Sequence, residues 1–435
     1  MMKKISFISV VLAAILVIVV SGFSSLQKAA ETAIDLEKVS LPGATVLAFG
    51  PDNVLFVGDS KAAVVHAIPT ASQPLKDPVP FNFMDFDLKL AEVLQIDARD
   101  LIINDMKIHP VSQEAYFAIK KGHAPDAPSM IAIVSPTDGE IRFLEVTASN
   151  STKSVIKNPA SDDLKFWRDI PASTLTITDI DYHDGFIYVA GLSNGEFAST
   201  LRKIAYPFTT AQEAIKSLEV YHAVHTQMET RAPIRTMAIT AVAGEPTLIA
   251  SYTCTPLVSV PLSQIGEGNV IKGKTIAELG YGNTPIDMIT YWTQEQDGSM
   301  DQKLLITHKH RSGSLIAMKD INKAVTEGKG MEGMMAQMPT GTAGMKITYS
   351  PTASVLHIDN QNQMMVATLK RNLETGGLDM VSELKGAFLR LSEFISEYDF
   401  PSYQYDEKQA ATKQFHDMVK PMEGYPELVS EKTKE

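Results

Sequence analysis

Six clusters of apolar-alternating strands lie between residues 40 and 387. Gly, Pro, Asn and Asp break the chain between them, and no Leu-rich helical repeat competes. Together these features predict an all-β fold, a β-propeller of six blades, with seven as the alternative if the tail adds strands. Each unit opens on a strand: Thr45-Val-Leu-Ala-Phe, Asn104-Asp-Met-Lys-Ile, Thr178-Asp-Ile-Asp-Tyr-His, Arg235-Thr-Met-Ala-Ile, Ile286-Asp-Met-Ile and Gly344-Met-Lys-Ile. Their equivalent positions are Val46, Met106, Ile180, Met237, Met288 and Met345, spaced 51 to 74 residues apart. A compact blade needs only ~40–50 residues, so the loops carry insertions.

Within each unit a second and a third strand follow. In the second unit they are Ala115-Tyr-Phe-Ala-Ile and Met130-Ile-Ala-Ile-Val; in the sixth they are Val355-Leu-His-Ile and Met365-Val-Ala-Thr-Leu. Period-2 alternation rich in β-branched residues is strand chemistry. A more polar fourth strand follows most copies, for example Ile141-Arg-Phe-Leu-Glu-Val and Leu378-Asp-Met-Val.

Outside residues 40–387 the chain reads differently. Met1-Met2-Lys3-Lys4 is a positive start, Ile5 to Val20 is almost wholly apolar, and Ser21-Gly22-Phe23-Ser24-Ser25 offers small residues for cleavage. Residues 1–25 are therefore expected to be a signal peptide or an N-terminal anchor, which places the protein outside the cytoplasm, periplasmic or secreted. The tail, 388–435, is charged with scattered Tyr and Pro and is expected to be an extension that partly packs and then frays. Hydrophobic residues make up 44% and charged residues 21%, enough for a real core. A formal charge of −12 repels phosphate backbones and anionic lipid, so nucleic acid is excluded as a partner, and a membrane is met only through an uncleaved N-terminus. The single cysteine, Cys254, allows no internal disulfide and no thiolate zinc site and reads as a small buried hydrophobe.

Leu47-Ala-Phe-Gly-Pro-Asp-Asn-Val-Leu-Phe-Val-Gly-Asp-Ser resembles blades of the six-bladed NHL and gluconolactonase-like superfamily, mainly over the first three units. Asp184-Gly185 supplies the Asp-Gly turn of that superfamily in the third unit. Ile103-Asn104-Asp105 is similar to the Asn-Asp pair with which gluconolactonase-like propellers hold a channel metal. The resemblance thus implies a calcium-dependent activity at the axis.

Several short motifs have plainer explanations. Gly268 to Thr275 fits the P-loop pattern, but Ile276-Ala-Glu-Leu-Gly is too short for the helix that a phosphate needs, so the segment reads as a loop feeding an outer strand. Gly191-Leu-Ser193-Asn-Gly195 fits the nucleophile elbow, yet the elbow needs a parallel sheet, and here it reads as a hairpin turn. Lys274 and Ser193 are accordingly expected in solvated loops. His308 with His310, and His222 with His225, read as polar residues near strand ends. Met331, Met334, Met335 and Met338 read as packing rather than a copper ladder.

A propeller lines its channel with the first strand of every blade. The residue before each aligned apolar position would then form a ring: Thr45, Asp105, Asp179, Thr236, Asp287 and Gly344, with Asn104 and Thr178 beside it. Three carboxylates so close repel unless a cation or proton intervenes. Oxygen ligands without thiolates suit Ca²⁺ or Mg²⁺ rather than zinc, with Ca²⁺ the expected ion, which makes Asp105, Asp179, Asp287 and Asn104 the candidate metal ligands and Thr45 and Thr236 the candidate ligand-binding residues. The expected function is binding of a small molecule or protein partner at the channel face without catalysis, because no complete acid/base pair is legible. The alternative is a Ca²⁺-dependent hydrolase of lactonase or esterase type, with His109 or His183 as base.

Overall fold

A computed structural model describes residues 38–385, apart from 76, 78, 125, 167–169, 195–197, 209–212, 230, 254, 267–269, 281–283, 296, 310, 334–340, 351 and 353. The expected signal segment, the tail, Cys254, His310, Met334, Met335 and Met338 lie outside the described residues. The chain is mostly β, and its sheets are arranged as in a propeller. No described helix is long and apolar enough to cross a membrane.

Six inner strands contact one another in a ring: Ala44–Phe49, Asp179–His183, Ile234–Val242, Pro285–Gln294, Val355–Asn360, Leu101–Ile108, and back to Ala44–Phe49. Each begins an antiparallel sheet of four strands, named here first to sixth in chain order. The third and fourth are joined by parallel pairing of their outer strands, Glu213–His222 and Val270–Glu278. The core lies between neighbouring sheets. Leu47, Leu55 and Val57 meet Tyr116, Ala118 and Ile131 between the first and second. Phe56 and Val65 meet Ile180 and Val189 between the first and third. The same kind of apolar seam closes each remaining contact around the ring. Burying both faces of each sheet is why strands such as Val54–Asp59 are apolar on both sides instead of alternating with exposed polar residues.

The ring order departs from chain order. After its third strand, Val64–Pro69, the first sheet is left unfinished. The chain crosses to the sixth sheet, adds Asn82–Phe83 as its outermost strand, and covers the seam with the helix Phe86–Leu94. It then builds the second sheet between the sixth and the first, and returns with Thr152–Val155 as the outer strand of the first.

The sixth unit also differs from the expected register. Gly344 is not on an inner strand. Ile347–Ser350 is the outer strand of the fifth sheet, and Val355–Asn360 is the inner strand of the sixth, followed by Met365–Arg371 and Leu378–Leu384. The helix Met318–Thr326 and the segment after it push the fifth unit's last strand far down the chain. Alternation alone cannot tell an inner strand from an outer one.

Candidate functional site

Five of the six inner strands carry a register shift near their start, at Ala44/Val46, Ile103/Asp105, Ile234/Thr236, Pro285/Met288 and Val355/His357. Such bulges bend a strand and re-aim its side chains, here toward the axis. Around the ring, Asp105, Asp179 and Asp287 stand on alternate strands, and each hooks the strand beside it in the same rotational sense. Asp105 Oδ2 accepts from Leu47 N at 2.7 Å, Asp179 Oδ2 from Met237 N at 2.7 Å, and Asp287 Oδ2 from Ile358 N at 3.2 Å. The other oxygen of each accepts the amide of the next residue in its own chain, Met106, Ile180 and Met288. One level deeper, Asp181 accepts from Ile239 N and Asp359 from Ile108 N, both at 2.7 Å. The carboxylates therefore latch neighbouring inner strands together and satisfy amides that the sheets leave over.

At the end where the inner strands begin, Asp105, Asp179 and Asp287 help to wall a cavity of about 110 Å³. Thr45, Asn104, Asp105, Thr178, Asp179, Thr236 and Asp287 all line it, so every expected ring member except Gly344 is brought there. Asn104 Nδ2 donates to Ala44 O at 2.9 Å. His357 stands where Gly344 was expected. Its Nδ1 lies 3.8 Å from Asp105 Oδ1 and 3.8 Å from Asp287 Oδ2, and has no hydrogen-bond partner among the described residues. Among the described residues Asp105, Asp287 and His357 offer one ligand atom each within 4.8 Å of one another, a grouping that could hold a metal ion; Asp179 is not part of that set.

Sequence reasoning missed Lys107, whose ammonium lies 3.5 Å from Asp287 Oδ1. Burial lowers its pKa, but Asp287, Asp105, Asp359 and Asp179 outweigh burial and hold it well above the ordinary lysine value. Part of the expected carboxylate repulsion is thus met by a built-in cation. Protons meet more of it. Burial pushes Asp179 up to about 8 and Asp359 up to about 6, against the pull of Lys107. Burial also raises Asp105, with Asp287 adding to the effect. Burial acts to raise Asp287 as well, yet Lys107 and His357 reverse it and hold that carboxyl below its ordinary value. Lys107 was legible in principle, two residues beyond the ring position Asp105 and so at the next level of the same face; Asp359 was not, because its strand was expected to be the second of its unit and not the inner one.

The remaining candidates sit elsewhere. His109 is a turn cap, its Nδ1 accepting from Val111 N and Ser112 N at 3.1 Å, and neither it nor His183 lines the cavity. His222 packs on His225, with ring centroids 4.2 Å apart, and its Nε2 lies 3.0 Å from Thr255 Oγ1, which donates to the buried Glu278. Lys274 and Ser193 are not in solvated loops. Lys274 lies in the strand Val270–Glu278, and its Nζ donates to Val325 O at 2.5 Å and Gly328 O at 2.6 Å, where the helix Met318–Thr326 ends. Ser193 is buried beside Thr200, and Gly191 is glycine because a Cβ there would meet Thr176 O at 2.0 Å. His308 is buried against Ser314, and Met331 is buried as expected for packing.

No protein-family model matches the chain, and no curated protein matches it. Solved structures do. Extracellular domains 1–2 of Drosophila Semaphorin 1b are similar at 8% identity and a TM-score of 0.35, over 80% of this chain and 86% of that one. Kuenenia stuttgartiensis hydrazine synthase is similar at 10% identity and a TM-score of 0.37, over 80% of this chain and 97% of that one. Drosophila Semaphorin 1a, extracellular domains 1–2, stands at 7% and 0.35, over 82% and 87%. At these identities and TM-scores the likeness brings no ligand or activity to this chain.

Proposed function

We propose that the chain is an exported six-bladed propeller that binds a small polar molecule, or a polar segment of a protein partner, at the channel end where its inner strands begin, without chemistry of its own. Six inner strands in cyclic contact, with an apolar seam at each contact, support the count of six. Export rests on Met1 to Ser25. The observation that carries the binding reading is the axial cavity, into which separate strands bring Thr45, Arg235, Thr236, Asp179 and Lys107. A small, polar, strand-built cavity fixes the orientation of a ligand through a few placed groups. The lactonase alternative is less well supported, because His109 and His183 do not line the cavity and would have to reach it as bases.

A thermal-shift screen of small polar compounds tests this, run on the wild type and on Thr236→Phe, which fills the cavity. Compounds that raise the melting temperature of the wild type alone support the reading. If every stabilising compound acts equally on the filled variant, the channel is not the site. Turnover of a lactone or ester panel, lost with chelator and in Thr236→Phe, would instead establish the hydrolase.

A further inference from the structure

We infer that the channel cavity is a site for one borderline divalent ion, of the zinc class, held by Asp105, Asp287 and His357. This rests on the channel reading and names an occupant for the same cavity.

The donors are placed for it. Zinc takes nitrogen and oxygen ligands at about 2.1 Å, so two donors of a tetrahedral site stand about 3.4 Å apart. His357 Nδ1 is 3.8 Å from a carboxylate oxygen on either side, a few tenths of an ångström from that spacing. His357 is only 8% exposed, and nothing among the described residues hydrogen-bonds its Nδ1. A buried polar atom left without a partner is costly, and an ion between the imidazole and the two carboxylates removes that cost. The carboxylates are already oriented by the amides of Leu47, Met106, Met288 and Ile358; Met106 N and Ile358 N bond the same oxygens that face His357, and each of those oxygens keeps a second lone pair for the ion. Such outer contacts set ligand geometry in metal sites. Lys107 approaches Oδ1 of Asp287, not the Oδ2 that stands 3.8 Å from His357 Nδ1.

The imidazole also decides the class of ion. Calcium gathers six to eight oxygens, whereas a mixed nitrogen and carboxylate set suits zinc and its neighbours. The calcium expected from an all-oxygen ring gives way once His357 replaces Gly344.

Zinc alone is the probe. Chelator-stripped protein is titrated calorimetrically, and the cobalt-substituted form is read by its visible d–d bands. One ion per chain is expected. His357→Ala and Asp105→Asn should each weaken affinity by at least about tenfold, with the cobalt spectrum altered in both. His109→Ala, which removes an imidazole outside the cavity, should bind as the wild type does. Circular dichroism in chelator shows whether each variant is folded; if His357→Ala is not, Asp105→Asn and X-ray absorption on the wild type, expected to show one nitrogen and two carboxylate ligands, decide the matter. Failure to bind zinc, binding indifferent to the variants, or equal stabilisation by calcium overturns the inference. A compound that stabilises the metal-free wild type but not Thr236→Phe, with no zinc bound, would sink the ion and leave the channel reading standing.

Discussion

His308 illustrates how burial turns one residue into a pH dependence of the whole fold. It is 1% exposed, and burial, aided by Arg311, pushes its pKa down to about 4. An unfolded chain takes up that proton near pH 6.5, the folded chain only near 4. Stability from the neutral ring is therefore complete above pH 6.5 and is lost as pH falls toward 4. At 1.36 kcal/mol per pKa unit the loss is of order 1–3 kcal/mol. Urea midpoints of the wild type and His308→Gln, measured from pH 4 to 7, should converge as pH falls. Parallel curves would assign the acid sensitivity elsewhere. Residue identity alone marked His308 only as a polar group at a strand end; its depth within the fifth sheet is what shifts it.

At the scale of elements, Lys274 shows how a motif can be matched for the wrong reason. Read as part of a phosphate loop or as a solvated lysine, it has no structural duty. In the fold its ammonium joins the outer strand Val270–Glu278 to the carbonyl of Val325, in the last turn of the helix Met318–Thr326, and to that of Gly328 just beyond it, where a positive charge also complements the helix dipole. Lys274→Met keeps the stem and removes the charge, and should destabilise the protein by about 1–3 kcal/mol, the range for hydrogen bonds to a charged group. Chemical denaturation checks this, and an unchanged midpoint would return Lys274 to the solvent. An outer strand was expected here, fed by a loop over Gly268 to Thr275; the strand instead takes in Val270 to Thr275 as well. The partner of Lys274 was not legible, because some fifty residues separate it from the carbonyls it meets.

For the whole molecule, closure of the ring depends on the segment that leaves the first sheet early. Phe81 is buried in the seam between the second and sixth sheets, its amide accepted by Ser382 Oγ, and Gln361 donates to Val79 O. The segment thus ties residues near the start of the described chain to residues near its end. Phe81→Ala should lower stability by about 3–5 kcal/mol, the usual result of emptying a large core site, and unfolding should remain a single transition because every sheet has two neighbours. An early separate transition of the sixth sheet, seen as two steps by calorimetry, would show that the ring is not coupled there.

Strand chemistry, the propeller class and most of the axial ring were determined by the sequence itself. Alternation fixes which residues share a face, and the opening Thr and Asp residues recur at matching places, so Thr45, Asp105, Asp179, Thr236 and Asp287 could be named together. Tertiary structure alone decided the ring order, the inner strand of the sixth sheet, and hence His357 in place of Gly344. Those depend on which sheet edge each long connection reaches, and local alternation carries no information about that. It also decided the charge state of the channel. Lys107 balances the carboxylates only because the second sheet sits between the sixth and the first, which brings its strand beside His357 and Asp359 on one side and Leu47 on the other.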